Sequence, residues 1–314
     1  MRTEDSTCRG KFETKYLAKA IITSVPAPVR KFVYRIPYVE SWLKQKFAHL
    51  LSTKREEWFE FKTGPRQGMK MKLRLPEENE FFLETHDPQI TRLLCDLLFP
   101  SQVFLDVGAH IGYYTLLASR LIGSGGKVFA IDPSPDTVNR LREHVMFNGC
   151  QNVQVLEVAA ASRDEAQQLI EYAASTLNRV EMGKGEIPLP HESWSPRSQR
   201  SVAGRTLDSL LEDNQISPPN FVKIDVEGLE VEVVEGMGKM LDEHKPKLLI
   251  EFHHGRAVQE IPRLLEKQDY HAYRIDGDGP VPMKTGWSVE DNHLRQGFNV
   301  LFLSQSPPLK GQIV

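Results

Sequence analysis

Three cysteines in 314 residues, Cys8, Cys95 and Cys150, are too few, too widely spaced and of the wrong parity for a disulfide framework or a metal knuckle. A reducing compartment is therefore expected. Long apolar runs are missing too: the stretch 16–25 is interrupted by Lys19 and closed by Pro26 and Pro28, which leaves it too short to span a bilayer. Glu4 and Asp5 at the start argue against a signal or transit peptide. No charge of one sign prevails, since 39 Lys and Arg stand against 42 Asp and Glu for a net charge of −3. A general polyanion-binding protein is thereby disfavoured. Internal repeats are absent. With 40% hydrophobic and 26% charged residues, the composition is that of an ordinary soluble globular protein, with room for one large or two modest domains.

The charge is unevenly placed. Residues 1–55 hold twelve Lys and Arg against four Asp and Glu, a balance of +8, which leaves −11 for the remainder. Phe32, Tyr34, Tyr38, Trp42 and Phe47 are interleaved with that basic charge. Such a segment suits docking onto the acidic body, or peripheral contact with an anionic membrane surface. The expected location is the cytoplasm. Nucleic acid is not an expected partner, because the basic residues are confined to one end and the rest of the chain is acidic.

The stretch from Val103 to Gly112 is the one around which the remainder of the chain is organised. Residues 103–107 are strand formers, Gly108 and Gly112 punctuate the run, and a helical pattern begins at Tyr113, so the segment reads as strand, tight turn and helix. Glycine in such a turn lets backbone approach a ligand closely, and the helix start offers free N–H groups. A second strand at 127–131 ends on Asp132, placed to accept hydrogen bonds from a ribose diol. A dinucleotide fingerprint would need glycine at the third and sixth places, where His110 and Tyr113 stand instead. Asp106, inside the strand end, would repel a pyrophosphate but suits the α-ammonium of an amino-acid cofactor. That combination points to S-adenosyl-L-methionine rather than NAD. A ligand-free turn whose glycines serve packing alone is the bland alternative.

Short strands are expected near 58–61 and 69–75, then an amphipathic helix through Ile90, Leu93, Leu94 and Leu97. The start of that helix, at His86 and Asp87, is expected near the cofactor pocket. Ser134, Pro135 and Asp136 form a good helix start, and a third strand at 153–158 leads to Ala159, Ala160 and Ala161. Small residues there, Ala161 among them, offer a smooth wall for an adenine ring or meet a packing need. Residues 163–205 break the alternation and read as a cap over the substrate or as disorder. Strands resume at 221–228 and 247–254, and the runs 270–275 and 298–303 suggest an antiparallel terminal hairpin. The sum is an α/β fold: a seven-stranded, mostly parallel, Rossmann-like sheet with helices on both faces. The expected organisation is a basic extension at 1–75, a main domain at 76–305 and a tail at 306–314.

Ligands in open α/β sheets bind beyond the carboxyl ends of the strands. Asp106, Asp132, Asp225 with Glu227, and Glu251 with His253 all fall there. Burying so many polar groups without purpose is costly. Glu227 could instead be an acidic helix start. His253 could be structural, since only one of His253 and His254 can face the site.

At these residues the chain resembles a known family. The runs from Phe104 to Thr115, from Ile131 to Pro135, and especially Lys223-Ile224-Asp225-Val226-Glu227-Gly228 look like the FkbM family of S-adenosylmethionine-dependent methyltransferases. His86-Asp87-Pro88 resembles the family's Tyr-Glu-Pro motif. His110 stands where the family usually has Asn, and Asp132 and Asp87 where it usually has Glu. What the resemblance implies is a class I methyltransferase that O-methylates a hydroxyl of a sugar, glycolipid or secondary metabolite. Asp87, Asp106, Gly108, Ala109, His110, Gly112, Asp132 and Ala161 would bind the cofactor. Asp225 would act as base or as ligand to a divalent cation, with His253 as second candidate base and Glu227 and Glu251 in support. The small-molecule or lipid-linked acceptor itself is not readable. An NAD(P)-dependent oxidoreductase and a non-catalytic, membrane-associated cofactor-binding protein are the competing classes.

Overall fold

The computed structural model describes residues 56–75, 78–172, 179–180, 197–253, 255–276, 279–283 and 298–304. The basic segment 1–55, His254 and the tail from 305 lie outside the described residues, as does much of the expected cap. The chain divides into two compact units, Met1–Pro88 and Gln89–Val314. Among the described residues no helix is long and apolar enough to cross a membrane.

In the first unit β1 (Glu56–Glu60) and β2 (Lys70–Arg74) pair antiparallel. Gly64 and Gly68, both at positive φ, make the turn between them. The alternation in β2 buries Met71 and Leu73 completely. A short helix α1 (Asn79–Leu83) comes next, and α2 (Pro88–Leu97), which starts at the boundary, carries its buried stripe on Ile90, Leu93 and Leu94.

The second unit is built on β3 (Val103–Val107), β4 (Lys127–Ile131), β5 (Val153–Leu156), β10 (Phe221–Ile224) and β11 (Lys247–Phe252), all parallel, in the order β5-β4-β3-β10-β11. Three antiparallel strands extend it beyond β11: β14 (Phe298–Leu303), β12 (His271–Asp276) and β13 (Gly279–Pro282). The expected terminal hairpin is therefore present as the pair β12 and β14. The sheet has eight strands rather than seven because Gly279-Pro280-Val281-Pro282 forms one more. Its two prolines read as turn material, yet proline is tolerated on an edge strand, and β13 is the edge.

Both faces of the parallel strands are covered, which is why they read as continuous apolar runs. On one face Leu105, Ile131, Val222, Ile224 and Ile250 pack under α5 (Leu207–Glu212), α6 (Glu230–Glu235), α7 (Gly238–His244) and α8 (Gly255–Glu266). On the other, Ala109 and Ala130 pack with Leu141 of α4 (Pro135–Phe147), and α3 (Tyr113–Ile122) lies beside β3 and β4. Helix α8 went unread in the sequence because Pro262 sits inside it. Its spacing of Ala257, Val258, Ile261 and Leu265 nevertheless buries one face.

Further expectations change. The strands expected over 221–228 and 247–254 end at Ile224 and Phe252, where the chain leaves the sheet for the segments that carry Asp225, Glu227 and His253. The third strand stops at Leu156, and Ala159–Ala160 form β6 in a separate sheet. That sheet has the order β6-β9-β7-β8, with β7 (Ala166–Glu171), β8 (Arg179–Val180) and β9 (Ser198–Arg205). The segment 163–205 thus contains paired strands where the sequence showed only broken alternation. Polar residues such as Gln167, Gln168 and Arg200 occupy its mostly exposed faces and hide the two-residue period.

Candidate active site

The turn after β3 is held from below and behind. Gly108 and Ala109 both donate their N–H to the Ile131 carbonyl, at 2.9 and 3.0 Å. Gly108 has φ +80, and a Cβ there would lie 1.7 Å from the carbonyl oxygen of Asp225. Gly112, at φ +88, would place a Cβ 2.3 Å from Leu141 Cδ1. These two glycines are therefore required by backbone conformation and by close approach. His110 between them also takes a left-handed φ of 48. Its own N–H donates to Asp132 Oδ2 at 2.9 Å, which ties this turn to the end of β4.

Asp132 is buried, and its carboxylate serves the chain extensively. Oδ1 accepts from Ser134 N at 2.9 Å and Thr137 Oγ1 at 2.5 Å, while Oδ2 takes His110 N. Burial raises its pKa and these three donors oppose the rise. A carboxylate has about four acceptor sites, so one remains on Oδ2 for a ligand hydroxyl. Ser134 does not cap α4 with its side chain; the hydroxyl donates instead to Glu171 Oε1 at 2.9 Å.

Asp106 lies inside β3 and is 1% exposed. Its Oδ2 accepts from Thr115 Oγ1 at 2.6 Å, whereas its buried Oδ1 has no hydrogen-bond partner. Burial raises its pKa, against the pull of Lys223 and Thr115. An unmet, buried carboxylate oxygen beside a glycine turn fits the cationic α-ammonium of S-adenosylmethionine. Ala161 is buried, donates its N–H to the Arg205 carbonyl at 2.9 Å, and packs its own carbonyl against Gly236. Asp87 belongs to the first unit, where it is half-buried at φ 36 with His86 Nε2 3.9 Å away.

The four candidate catalytic residues converge. β10 and β11 are neighbours with Ile224 opposite Ile250, so Asp225 and Glu251, one residue further on, emerge side by side. His253 comes two residues after Glu251 and shares its face. His253 Nε2 stands 3.7 Å from Asp225 Oδ1, 3.7 Å from Glu227 Oε2 and 3.8 Å from Glu251 Oε1. The other ring nitrogen, Nδ1, is 2.7 Å from Glu230 Oε1, an oxygen that already accepts from Gly228 N at 2.9 Å. Nδ1 is therefore the donor. Glu227 is not part of the next helix, which starts at Glu230; it sits in the turn at φ 51, before Gly228 at φ 112.

Lys223, buried in β10, lies between the two acidic clusters. Its Nζ donates to Asp225 Oδ2 at 2.8 Å and sits 5.0 Å from the centre of the Tyr114 ring. Burial works against its charge, but Asp225 and Asp106 outweigh burial and raise its pKa. Burial pushes Glu227 up to about 7, with His253 opposing. For His253 burial is overcome by Glu230, Glu227 and Asp225, which push it up to about 10. Two members of this constellation were missed in the sequence. Glu230, fully buried, looks there like a helix-start acid, and Thr115 looks like an ordinary first-turn residue. An acid flanked by Leu229 and Val231 was the one available signal.

Residues 106–272 match the methyltransferase FkbM domain. The hexuronic acid methyltransferase AglP of Haloferax volcanii is 28% identical over 182 residues, 58% of this chain and 68% of that protein. Methyltransferase 1 of Beauveria bassiana is 24% identical over 157 residues, 46% of this chain and 61% of that protein. Among solved structures, methyltransferase FkbM from Methylobacillus flagellatus KT shares 15% identity and a TM-score of 0.41, covering 86% of this chain and 60% of that one.

Proposed function

Because the chain belongs to the FkbM methyltransferase family and is an S-adenosylmethionine-dependent methyltransferase, we propose that it O-methylates a hydroxyl of a sugar or sugar-containing small molecule. The relative that acts on a hexuronic acid supports a carbohydrate acceptor. The observation that carries the reading is the convergence of Asp225, Glu227, Glu251 and His253 at the carboxyl ends of two adjacent strands.

S-adenosylmethionine, when bound, supplies a methyl group already activated on a sulfonium. What the chain must do is hold an acceptor oxygen in line with that methyl and take its proton. Asp225 is the first candidate for the proton, with Oδ2 anchored on Lys223 and Oδ1 turned toward His253. His253 is the second, once Nε2 has given up the proton that its raised pKa holds there, and Glu227 and Glu251 orient the hydroxyl. On the cofactor side Asp106 Oδ1 takes the α-ammonium and Asp132 a ribose hydroxyl. Gly108, Ala109, His110 and Gly112 shape the turn, Ala161 lines the adenine, and Asp87 is a cofactor contact on the strength of the family motif alone. The strands of 163–205 belong to a cap over the acceptor. The cytoplasm is the compartment in this reading, with residues 1–55 docked or in peripheral membrane contact. Liposome co-sedimentation unchanged by deleting them would remove the membrane version.

The test pairs labelled methyl transfer to a panel of hexuronic acids and related sugars with calorimetric binding of S-adenosylhomocysteine. Asp225→Ala should abolish transfer and leave the Kd for S-adenosylhomocysteine within about threefold, a shift of less than ~1 kcal/mol. Retained turnover, or equal loss of both, overturns the assignment.

A further inference from the structure

We propose that Asp225, Glu251 and His253 form a binding site for one divalent cation, with Glu227 closing the side of the site and buried Glu230 setting the histidine tautomer. One ligand atom from each of Asp225, Glu251 and His253 lies within 4.8 Å of the others. Ligands about 2.1 Å from a shared ion stand roughly 3 to 4.2 Å apart, cis to trans, so small rotations of these partly buried side chains bring them into place.

Three further features favour a cation over a self-contained ion-pair cluster. The first is the fixing of His253: Glu230, 0% exposed, holds Nδ1 and turns Nε2 toward the three carboxylates. A carboxylate behind an imidazole is the arrangement that orients metal-bound histidine. The second is charge. Four carboxylates, Asp225, Glu227, Glu230 and Glu251, stand around His253, whose imidazole is neutral when it ligates a metal, and Lys223 is bonded to the Asp225 oxygen that points away from His253. A dication is attracted to such a carboxylate cluster and replaces the proton on Nε2. The third is access. Asp225, Glu251 and Glu227 keep 21%, 20% and 37% of their side-chain surface open, so an ion would retain free positions for ligand oxygens.

Carboxylate oxygens with a single imidazole suit Mg²⁺ or Mn²⁺ better than softer metals. An ion with two free positions selects acceptors that present two neighbouring oxygens, as a vicinal diol or a hydroxy acid does. It also lowers the pKa of the hydroxyl it holds. This selectivity rests on the proposed methyl transfer to a sugar, whereas the binding of the ion does not.

The experiment uses the full-length protein dialysed against EDTA, titrated with Mn²⁺ by electron paramagnetic resonance, with S-adenosylhomocysteine binding measured on the same samples. One Mn²⁺ site is expected, weakened at least tenfold in Glu251→Gln and about tenfold in Glu230→Gln, a positioning residue. Glu212→Gln, on a surface helix away from these strands, should bind Mn²⁺ as the unaltered protein does. Protein that binds S-adenosylhomocysteine but no Mn²⁺, or binds it equally well as Glu251→Gln, overturns the cation site and leaves the methyltransferase standing. Mn²⁺ binding lost in Glu251→Gln, in protein that transfers no methyl group to any sugar, supports the site and counts against the proposed acceptor class.

Discussion

Replacing Gly108 by Ala puts a carbon 1.7 Å from the backbone oxygen of Asp225, at a residue whose φ is +80. The conformational part costs about 1–2 kcal/mol, since an L side chain in the left-handed region meets its own carbonyl. The overlap is with backbone, so it cannot be relieved by a rotamer change; β3 and β10 must separate by more than about 1 Å to restore ordinary contact. The hydrogen bond from Asp225 N to Val107 O, at 3.0 Å, lies at that point and is the first to be lost. It adds about 1 kcal/mol, or more if the donor stays buried and unpaired. The two parts sum to ~2–3 kcal/mol before the overlap itself is counted, a fall in Tm of at least roughly 4–12 °C for a unit of this size. Gly149 isolates the conformational part, because it has φ +65 and nothing within 4 Å of a new Cβ. Gly149→Ala should therefore lower Tm by only about 2–8 °C. Differential scanning calorimetry of both variants, with methyl transfer measured beside it, makes the comparison. Equal shifts in the two would refute the claim that the turn after β3 is pressed against Asp225. Transfer should fall steeply in Gly108→Ala alone, because the displaced strand re-aims the Asp225 carboxylate.

Asp132→Ala removes the acceptor of three donors, His110 N, Ser134 N and Thr137 Oγ1, and should raise the Kd for S-adenosylhomocysteine at least tenfold by calorimetry, about 1.4 kcal/mol. Unchanged affinity would show that neither the turn nor the ribose depends on it. Thr206→Ala loses the cap in which Thr206 Oγ1 accepts from Ser209 N at 2.9 Å, and about 1 kcal/mol of stability with it, visible as a Tm lower by about 2–4 °C. Tyr270→Phe deletes a buried hydroxyl that donates to the Pro246 carbonyl at 2.8 Å. A loss of about 1 kcal/mol in chemical denaturation is expected, with methyl transfer unaffected. Glu171→Gln weakens the contact to Ser134 that joins β7 to the start of α4, and the contacts to Ser198 and Arg200 on β9. It should lower cofactor affinity a few-fold through Ser134, and an unchanged Kd would detach the small sheet from the cofactor turn.

Much of the site was legible because its residues stand at strand ends, where local pattern is strong. The run Val103 to Gly112 announces strand and turn through apolar β-formers and two glycines, and both glycines prove to have positive φ. Asp225 and Glu251 each end an apolar run, and both sit at the carboxyl end of a parallel strand. Glu227 was harder: an acid ahead of a helix normally serves the helix dipole. Only its φ of 51 removes it from the helix and turns it toward His253. Glu230 was invisible as a partner, because nothing local distinguishes an acid facing solvent from one facing a histidine on the next strand. The polar strands of 166–171 and 198–205 were missed for a related reason, since they find their partners across a long insertion and carry no apolar period of their own.

The sequence by itself determined the local alphabet of this protein: which apolar segments are strands, where the central turn falls, and which of those strands end in acids. It could do so because backbone preference and apolar periodicity act over a few residues. Tertiary structure alone decided the order of the strands, and with it that β10 lies between β3 and β11. That order presses Gly108 against Asp225 and brings Asp225, Glu227, Glu230 and Glu251 around His253. Contacts between segments so distant in the chain are set by which apolar faces can be buried together, a property of the whole sheet and its covering helices that no single stretch encodes.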